Sequence, residues 1–229
     1  MKLSDRLIRK YYHLKKKFGW HSFYTPTPDT ARGLKQAFKQ TQSLAGDYYE
    51  FGLFEGYSFY RAIKLGKTWG QTAHYFGFDS FEGLPDVTGI DAGWRFKRGQ
   101  YRSSLEEVTA NLKSKNCLAD NVYLIKGFYN ESLKNKAKLN HLPLGPAKVV
   151  LIDSDLYESA RDVLNFIYPY LQPGTAILFD DWNCFEADEQ KGERRAWREF
   201  LALHPEIDTE LTGYFGWGGA IFKVKKISA

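Results

Sequence analysis

The sequence predicts an α/β fold in which a mostly parallel β-sheet is covered by helices on both faces. Strand-like and helix-like segments alternate along most of the chain, and the segments at 121–127, 147–153 and 175–181 are almost entirely apolar. Strands that are buried on both sides lose the in–out alternation of half-exposed strands. A length of 229 residues and a hydrophobic content of 43% are sufficient for one such domain.

Residues 1–30 differ from the rest and are predicted to form a basic arm ahead of a domain at 31–229. Within 5–17, apolar and aromatic side chains recur at helix-like spacing opposite a basic face. The prolines of TPTPDT (25–30) end this pattern, and its last two residues are capping types that open a helix over 31–44. We expect the arm to cover the functional site, within one chain or across a homodimer. The alternatives are contact with a second subunit alone and contact with a membrane surface through Lys15, Lys16 and Lys17.

The positive charge of the chain is concentrated in its first 40 residues. Ten Lys and Arg residues stand against two acids there, and because the whole chain carries +5, the remainder carries −3. A mildly acidic body argues against nucleic acid as a partner. No apolar run reaches the roughly 18 residues of a transmembrane helix, and the basic start lacks the apolar stretch of a signal peptide. Cys117 and Cys184 show no metal-binding spacing, so we expect a cytoplasmic protein without stable membrane association.

The elements of the domain can be assigned in chain order from periodicity and end signals. A capping box of serines and glutamate opens a helix at 103–116. A polar loop with several glycines is predicted over 81–102, and the last two strands, 207–213 and 218–226, are predicted to form an antiparallel pair. The remaining predicted strands are 47–53, 74–80, 121–127, 147–153 and 175–181, and the remaining predicted helices are 56–66, 158–171 and 192–205.

Two glycines follow the first predicted strand, where the chain turns into a helix. The stretch EFGLFEGYS contains Glu50, Gly52 and Gly56 in an E-x-G-x-x-x-G pattern. Glycines at such a turn let the main chain approach a ligand and direct helix N–H groups toward it. The spacing differs from the G-x-G-x-x-G of dinucleotide enzymes, which disfavours NAD. An ordinary tight turn would explain the same glycines.

Asp79 ends the second predicted strand in FGFDSFEGLP, 27 residues after Gly52. A Rossmann-type fold places an acid near this position that binds ribose hydroxyls. The alternative is that Asp79 caps a turn or a helix. In combination with the glycine turn, this acid favours an adenosine-containing ligand.

Pairs of acids follow two neighbouring strands of the predicted sheet. VVLID ends at Asp153, with Asp155 two positions on, and TAILFDD ends at Asp180 and Asp181. Buried carboxylates are costly unless a positive group meets them, and parallel strands present their carboxyl ends at one edge. Oxygen ligands without nearby histidine or cysteine favour Mg²⁺, or Ca²⁺ or Mn²⁺, over Zn²⁺. Some of these acids could instead cap helices or pair with arginines.

Several of these stretches, in this order, resemble the macrocin O-methyltransferase family. They are YYEFGLFEGYSFY, FGFDSFEGLPD, IKGFYNESL, LIDSDLYESARDVLNFIYPYLQPGTAILFDDW and RRAWREF, which together span about residues 45–205. The resemblance implies a Rossmann-like class I methyltransferase fold with a seven-stranded sheet whose last strand is antiparallel. It also implies S-adenosylmethionine as the cofactor and a magnesium site that holds the substrate oxygen.

The resemblance implies roles for individual residues as well. The cofactor-binding group, from the methionine end to the adenosine, is Glu50, Gly52, Gly56, Ser58, Asp79, Ser80, Gly127 and Phe128. The metal-binding group is Asp153, Asp180 and Asp181, and we take Asp153 and Asp155 as the candidate catalytic residues. The loop at 81–102 lacks the histidine that antibiotic-modifying relatives carry, so the sequence leaves the general base open.

We therefore predict an S-adenosylmethionine-dependent, Mg²⁺-dependent O-methyltransferase that acts on a hydroxyl of a sugar or another small vicinal diol. Its catalysis would be largely positioning and electrostatics. Two alternatives stay open. DSD at 153–155 resembles the D-x-D metal motif of nucleotide-sugar glycosyltransferases, although that motif does not predict the glycine turn. The other alternative is a non-catalytic, nucleic-acid-binding protein that uses the basic arm.

Overall fold

A computed structural model of the protein describes residues 28–70, 72–216 and 218–228. The predicted amphipathic segment at 5–17, like the rest of the arm up to residue 27, lies outside the described residues. The first described helix, α1 (Pro28–Gln40), begins before the predicted domain boundary at residue 31 and ends before the predicted residue 44. The chain turns at 41–43 instead of continuing the helix.

A seven-stranded sheet forms the centre of the domain and confirms the predicted fold class. In chain order its strands are β1 (Gly46–Phe51), β2 (Thr72–Asp79), β3 (Val122–Lys126), β4 (Ala147–Ile152), β5 (Ala176–Phe179), β6 (Ile207–Phe215) and β7 (Gly219–Ile227). The order across the sheet is β3-β2-β1-β4-β5-β7-β6. Strands β1 to β5 pair in parallel, whereas β7 is antiparallel to both β5 and β6. The strand order reverses between β1 and β4, which is where open sheets of this type bind ligands.

Helices connect the parallel strands, and the five helices predicted from the sequence occur in the predicted order, together with two short helices, Tyr129–Ser132 and Lys136–Leu139, that were not predicted. After α1 they are α2 (Tyr57–Trp69), α3 (Leu105–Ser114), α4 (Tyr129–Ser132), α5 (Lys136–Leu139), α6 (Tyr157–Ile167) and α7 (Gly192–Leu203). The predicted capping box is present at α3, where Ser104 and Glu107 exchange side-chain to main-chain hydrogen bonds. The helix predicted to reach residue 171 ends at Ile167, because Pro169 has no N–H to continue it. None of the described helices has the length and apolar character needed to cross a bilayer.

The sheet separates two hydrophobic layers. On one side Phe51, Phe78 and Ile152 pack with residues of α6 and α7, and on the other side Tyr48 and Leu151 pack with residues of α1 and α2. Strands β4 and β5 are buried along their whole length, as their apolar sequences predict. Apart from the buried Lys148 in β4, these two strands carry no polar side chain, and acids follow directly beyond their carboxyl ends.

Candidate active site

A cavity of about 790 Å³ opens at the carboxyl ends of β1, β2, β4 and β5. Most of the predicted site residues line it. They are Gly52, Ser58, Asp79, Ser80, Phe128, Asp153, Asp155, Asp180 and Asp181. The other three predicted residues, Glu50, Gly56 and Gly127, are not among the residues that line this cavity. The carboxyl ends of the parallel strands thus bring together residues that are up to about 130 positions apart in the sequence.

Glu50 is a fully buried carboxylic acid in β1, behind the wall of the cavity. The hydroxyl of Ser58 donates a 2.5 Å hydrogen bond to its Oε1, and the hydroxyl of Tyr48 donates one to its Oε2. Burial raises the pKa of Glu50 to about 8, although both hydrogen bonds act in the opposite direction. The acid is therefore largely protonated at neutral pH, and a positive group brought next to it would favour its charged form.

Gly52 is required by a contact between two main-chain segments. Its φ is +95°, and a Cβ added here would lie 1.9 Å from the main-chain oxygen of Asp153. The tight-turn alternative therefore accounts for this glycine, which also lines the cavity. Gly56 has a φ of +81° and precedes α2, and its N–H donates a 2.7 Å hydrogen bond to the main-chain oxygen of Leu53. The turn between β1 and α2 thus packs directly against the end of β4.

Asp79 connects the turn after β1 to the loop after β2. Its Oδ2 accepts hydrogen bonds from the main-chain N–H groups of Leu53 (2.6 Å) and Phe54 (3.3 Å). Its Oδ1 accepts one from the N–H of Phe81 at 2.6 Å. The turn-capping alternative is therefore correct as a structural role. Because each carboxylate oxygen can accept more than one hydrogen bond and Asp79 lines the cavity, ribose binding stays a prediction.

The ends of β2 and β3 form the side of the cavity that was predicted to hold the adenosine. Ser80 donates a 2.8 Å hydrogen bond to the main-chain oxygen of Gly83. Gly127 has a φ of +144°, and its N–H donates to the main-chain oxygen of Asp79 at 2.9 Å. Phe128 follows it, precedes α4 and lines the cavity. Ser80 and Phe128 line the cavity and Gly127 does not, and the contact of these residues with adenosine stays a prediction.

Three carboxylates from the ends of β4 and β5 converge at the cavity. One oxygen of each of Asp153, Asp155 and Asp181 lies within 4.8 Å of the other two. Asp155 has a φ of +59° and is only 8% exposed, and such backbone strain is concentrated at functional positions. A set of carboxylate oxygens at this separation suits a hard divalent cation. We call these three residues the acid cluster.

Burial raises the pKa values of all three acids in the acid cluster. For Asp153 the charges of Asp180 and Asp181 act in the same direction, and for Asp155 the charge of Asp181 does. Arg95, from the long loop after β2, lowers the pKa values of Asp155 and Asp181. The site therefore carries an excess of negative charge, which a divalent cation would offset.

Asp180 lies beside the acid cluster and lines the same cavity. Its Oδ1 accepts a 2.8 Å hydrogen bond from the hydroxyl of Thr30 in α1. The geometry brings Asp155 into the group of three closest carboxylates, whereas the sequence assigned the third place to Asp180. The choice between Asp155 and Asp180 as the third ligand stays open, and both are adjacent to the same space.

Two buried residues near the acid cluster were not predicted from the sequence. Glu193, in the first turn of α7, is 1% exposed, and its Oε2 accepts a 3.0 Å hydrogen bond from the N–H of Asp181. The Sγ of Cys184 donates a 2.9 Å hydrogen bond to the Oδ1 of Asp181. An acid in the first turn of a helix normally indicates only a favourable interaction with the helix dipole, so the sequence carried no signal for this contact.

The long loop after β2 is fastened to the helices beside the cavity through Asp91, which is 3% exposed. Its Oδ2 accepts a 2.6 Å hydrogen bond from the N–H of Tyr157, and its Oδ1 accepts a 3.0 Å hydrogen bond from the N–H of Gly192. Asp91 therefore joins the loop to the start of both α6 and α7. This anchoring gives Arg95 and Tyr101, which follow in the loop, defined places at the cavity.

Comparisons with known proteins find a family and several relatives to which this chain is similar. Residues 32–219 match the model of a family described as Macrocin-O-methyltransferase (TylF). The chain is 34% identical over 148 residues to the 8-demethyl-8-(2,3-dimethoxy-alpha-L-rhamnosyl)-tetracenomycin-C 4'-O-methyltransferase of Streptomyces olivaceus, a match that covers 61% of this chain and 54% of that protein. It is 33% identical over 111 residues to the demethyldecarbamoylnovobiocin O-methyltransferase of Streptomyces niveus, with 45% of this chain and 40% of that protein covered.

The matches thus span about half of these two relatives or less. Among solved structures, the O-methyltransferase NovP superposes with a TM-score of 0.67 over 86% of this chain and 79% of that chain, at 22% identity. At this identity the superposition supports the fold alone.

Proposed function

Because the chain belongs to the macrocin O-methyltransferase family, we propose that it methylates a hydroxyl of a small-molecule acceptor with S-adenosylmethionine as methyl donor. The observation that carries this proposal is the shared cavity, which is lined by Gly52 of the glycine turn, by Asp79 and by the acid cluster. A methyl donor and a metal-bound acceptor would need such adjacent sites. A nucleotide-sugar glycosyltransferase is disfavoured by the family.

The methionine end of the donor is proposed to lie against Glu50 and Ser58. Glu50 is held by two hydroxyl groups, and burial keeps it largely protonated while no cation faces it. An ammonium group next to Ser58 would shift Glu50 to its charged form. Asp79 is proposed to accept hydrogen bonds from the ribose, because it ends β2 at the cavity.

The acid cluster fits a divalent cation that coordinates oxygen. Its donor atoms are carboxylate oxygens. Burial raises the pKa values of all three acids, and repulsion from neighbouring carboxylates raises those of Asp153 and Asp155 further, so a cation would relieve an unfavourable charge arrangement. We propose that Asp153 and Asp181 hold Mg²⁺, with Asp180 as the third ligand that the family resemblance implies. Asp155 would then be left to accept the acceptor's proton.

When bound, S-adenosylmethionine supplies an electrophilic methyl group and Mg²⁺ lowers the pKa of a hydroxyl that it coordinates. The protein's own residues orient the acceptor and exclude water. Asp155, held in a strained backbone conformation at the cavity wall, would take the hydroxyl proton. Arg95 limits the excess negative charge around it. Positioning of this kind supplies a large part of the rate enhancement in group-transfer enzymes.

The acceptor is proposed to be a sugar hydroxyl. The name of the Streptomyces olivaceus relative describes a rhamnosyl-bearing tetracenomycin, and adjacent sugar hydroxyls can chelate one cation. We further propose that the protein acts in the cytoplasm, where buried, unpaired Cys117 and Cys184 would stay reduced. Residues 1–30 are proposed as a basic arm that covers the site, within one chain or in a homodimer, on the methyltransferase domain at 31–229.

Calorimetry with S-adenosylhomocysteine tests the donor site, and methyl transfer from labelled S-adenosylmethionine to a panel of glycosides, with Mg²⁺ or with EDTA, tests the reaction. We expect binding, and transfer that is lost in EDTA and restored by Mg²⁺. No binding of S-adenosylhomocysteine by the wild-type protein would refute the methyltransferase proposal. Full activity in EDTA would refute the metal site alone.

A further inference from the structure

Two aromatic side chains from different loops meet at the cavity. Phe54 lies in the turn after β1, and Tyr101 lies near the end of the long loop after β2. Their ring centroids are 6.2 Å apart and the ring planes are nearly perpendicular, at 87°. This edge-to-face arrangement is a favourable one for an aromatic pair. The edge of one ring meets the face of the other, so the two loops are in contact through these side chains.

Both rings are exposed to an unusual degree. Phe54 is 41% exposed and Tyr101 is 49% exposed. Within the described part of the chain, the exposed large hydrophobic residues also include Leu118, Leu203, Leu211 and Tyr214, but none of these lines the cavity. Burying an aromatic ring is favourable by about 25 cal/mol for each Å² of apolar surface. Two rings left uncovered inside a cavity therefore offer apolar surface to a ligand.

The backbone at both positions is held in the left-handed region. The φ angle is +48° at Phe54 and +57° at Tyr101. This conformation is unfavourable for a bulky residue that is not glycine, and it persists where the surroundings enforce it. A glycine would adopt it without strain. The backbone conformation would thus favour glycine at both positions, and each position nevertheless carries an aromatic side chain.

Phe54 and Tyr101 line the cavity together with Asp79 and the acid cluster. The N–H of Phe54 donates to Asp79, the acid proposed to bind the ribose. Tyr101 lines the same cavity as Asp155 and Asp181, and burial together with the charges of these two acids raises the pKa of Tyr101 to about 12. An acceptor held at the acid cluster would therefore lie beside the Tyr101 ring.

We propose that Phe54 and Tyr101 form the acceptor platform, on which one pyranose ring packs its C–H face against the ring of Tyr101 while Phe54 holds that ring in place. The inference rests on the proposed methyltransferase function and adds the residues that select the acceptor. A sugar combines an apolar face with a rim of hydroxyls, and the cavity offers both kinds of partner. The carboxylates of Asp86 and Glu158 line the cavity in addition to the acid cluster.

Binding of methyl glycosides tests this platform directly, without turnover. Saturation-transfer NMR of the protein with S-adenosylhomocysteine and Mg²⁺ would screen a panel of methyl hexosides and methyl 6-deoxyhexosides. Catechol is the comparison compound, because it is a planar diol without the ring of hydroxyls that surrounds a sugar. We expect at least one glycoside to bind more tightly than catechol. Tyr101→Gly should weaken the binding of that glycoside by about tenfold or more, because the substitution removes the aromatic ring. Tyr101→Phe should stay within about threefold of the wild type, since the ring face is kept.

Tyr101→Gly is chosen because glycine relieves the left-handed strain, so the variant should unfold at no lower temperature than the wild type. Phe54→Leu should give an intermediate loss of glycoside affinity. Tyr214→Ala is the matched control, because Tyr214 is 61% exposed and lies in β6 away from the cavity. Its glycoside affinity should equal that of the wild type.

Three outcomes of the glycoside-binding experiment would overturn the platform. They are glycoside binding by Tyr101→Gly within about twofold of the wild type, tighter binding of catechol than of every glycoside, and absence of glycoside binding by the wild type. A loss of S-adenosylhomocysteine affinity in Tyr101→Gly would overturn it too, because the rings would then belong to the donor site. The methyltransferase proposal fails separately, when the wild-type protein does not bind S-adenosylhomocysteine.

Discussion

Glu193 accepts a 3.0 Å hydrogen bond from the main-chain N–H of Asp181, and thereby fixes the end of β5 to the first turn of α7. Burial raises the pKa of the same glutamate well above its ordinary value, whereas hydrogen bonding by the main chain of Ser154 acts in the opposite direction, so Glu193 is also in contact with the segment after β4. Two strand ends that carry the acid cluster are thus joined through one buried side chain. Such outer contacts commonly control how well the ligands hold a metal.

We predict that Glu193→Ala weakens Mg²⁺ binding by about tenfold or more, because Asp181 and the segment at Ser154 lose their common partner. Glu193→Gln keeps an oxygen acceptor and should therefore lose less Mg²⁺ affinity than Glu193→Ala. Titration calorimetry with Mg²⁺ measures this directly. Glu199→Gln, on the same helix but bonded to Tyr157 and Arg195 outside the cavity, is the control and should bind Mg²⁺ as the wild type does. Equal Mg²⁺ affinity in Glu193→Ala and the wild type would show that Glu193 does not position the cluster.

The third metal ligand can be identified by comparing Asp155→Asn with Asp180→Asn. If Asp180 is the ligand and Asp155 the proton acceptor, Asp180→Asn should weaken Mg²⁺ binding by about tenfold or more. Asp155→Asn should then keep most of the Mg²⁺ affinity while kcat falls by about a hundredfold or more. Calorimetry and steady-state kinetics measure the two quantities, and S-adenosylhomocysteine affinity should be unchanged in both variants. The reverse pattern of Mg²⁺ affinities would assign the third place to Asp155, in accordance with the closest grouping of carboxylates.

The sequence was sufficient to predict the sheet, because the alternation of strands with helices and the apolar character of the strands are visible in local sequence pattern alone. It also predicted that the site lies at the carboxyl ends of the strands. It was also sufficient to bring Asp153 and Asp181 together, since parallel neighbours end at one edge. It did not predict the contact between Thr30 and Asp180, which joins residues 150 positions apart. Contacts of this kind depend on how a helix or loop packs, and no periodicity records that packing. The same reason explains why Glu193 was missed.

We predict that binding of S-adenosylhomocysteine releases about one proton from Glu50 near pH 7. Without ligand, burial raises the pKa of Glu50 to about 8, so the group is mostly protonated at this pH. An ammonium group beside it would favour the carboxylate and displace the proton. Calorimetry in phosphate and in Tris, which differ in ionisation enthalpy, should therefore give different apparent binding enthalpies. In Glu50→Gln the difference between the buffers should disappear. Equal enthalpies in the wild type would mean that Glu50 does not meet a cationic group.

Glu50 should also make the stability of the unliganded protein depend on pH. Its folded pKa of about 8 lies above the ordinary value of 4.5, so between these pH values the folded state holds a proton that the unfolded state has lost. Stability contributed by this group is therefore full below the lower value and is lost as pH rises toward the higher one, by about 1.4 kcal/mol per pH unit within the window. Denaturant unfolding between pH 5 and 8 (roughly the window of these two pKa values) measures the slope. Glu50→Gln should have a shallower slope by about this amount, and an unchanged slope would contradict the raised pKa.

Gly52→Ala should be more destabilising than the same change at a glycine with similar backbone geometry and open space. A Cβ at Gly52 would lie 1.9 Å from the main-chain oxygen of Asp153, whereas a Cβ at Gly93, where φ is +83°, would have nothing within 4 Å. Gly93→Ala should therefore cost only the left-handed strain, about 1–2 kcal/mol. Gly52→Ala adds a main-chain clash and should lower the free energy of unfolding by about 3 kcal/mol or more. Because the clash pushes on Asp153, Gly52→Ala should also weaken Mg²⁺ binding, and Gly93→Ala should not. Equal unfolding free energies for the two variants would show that the turn after β1 can move away from β4 at little cost, and the packing of that turn would then not account for the glycine.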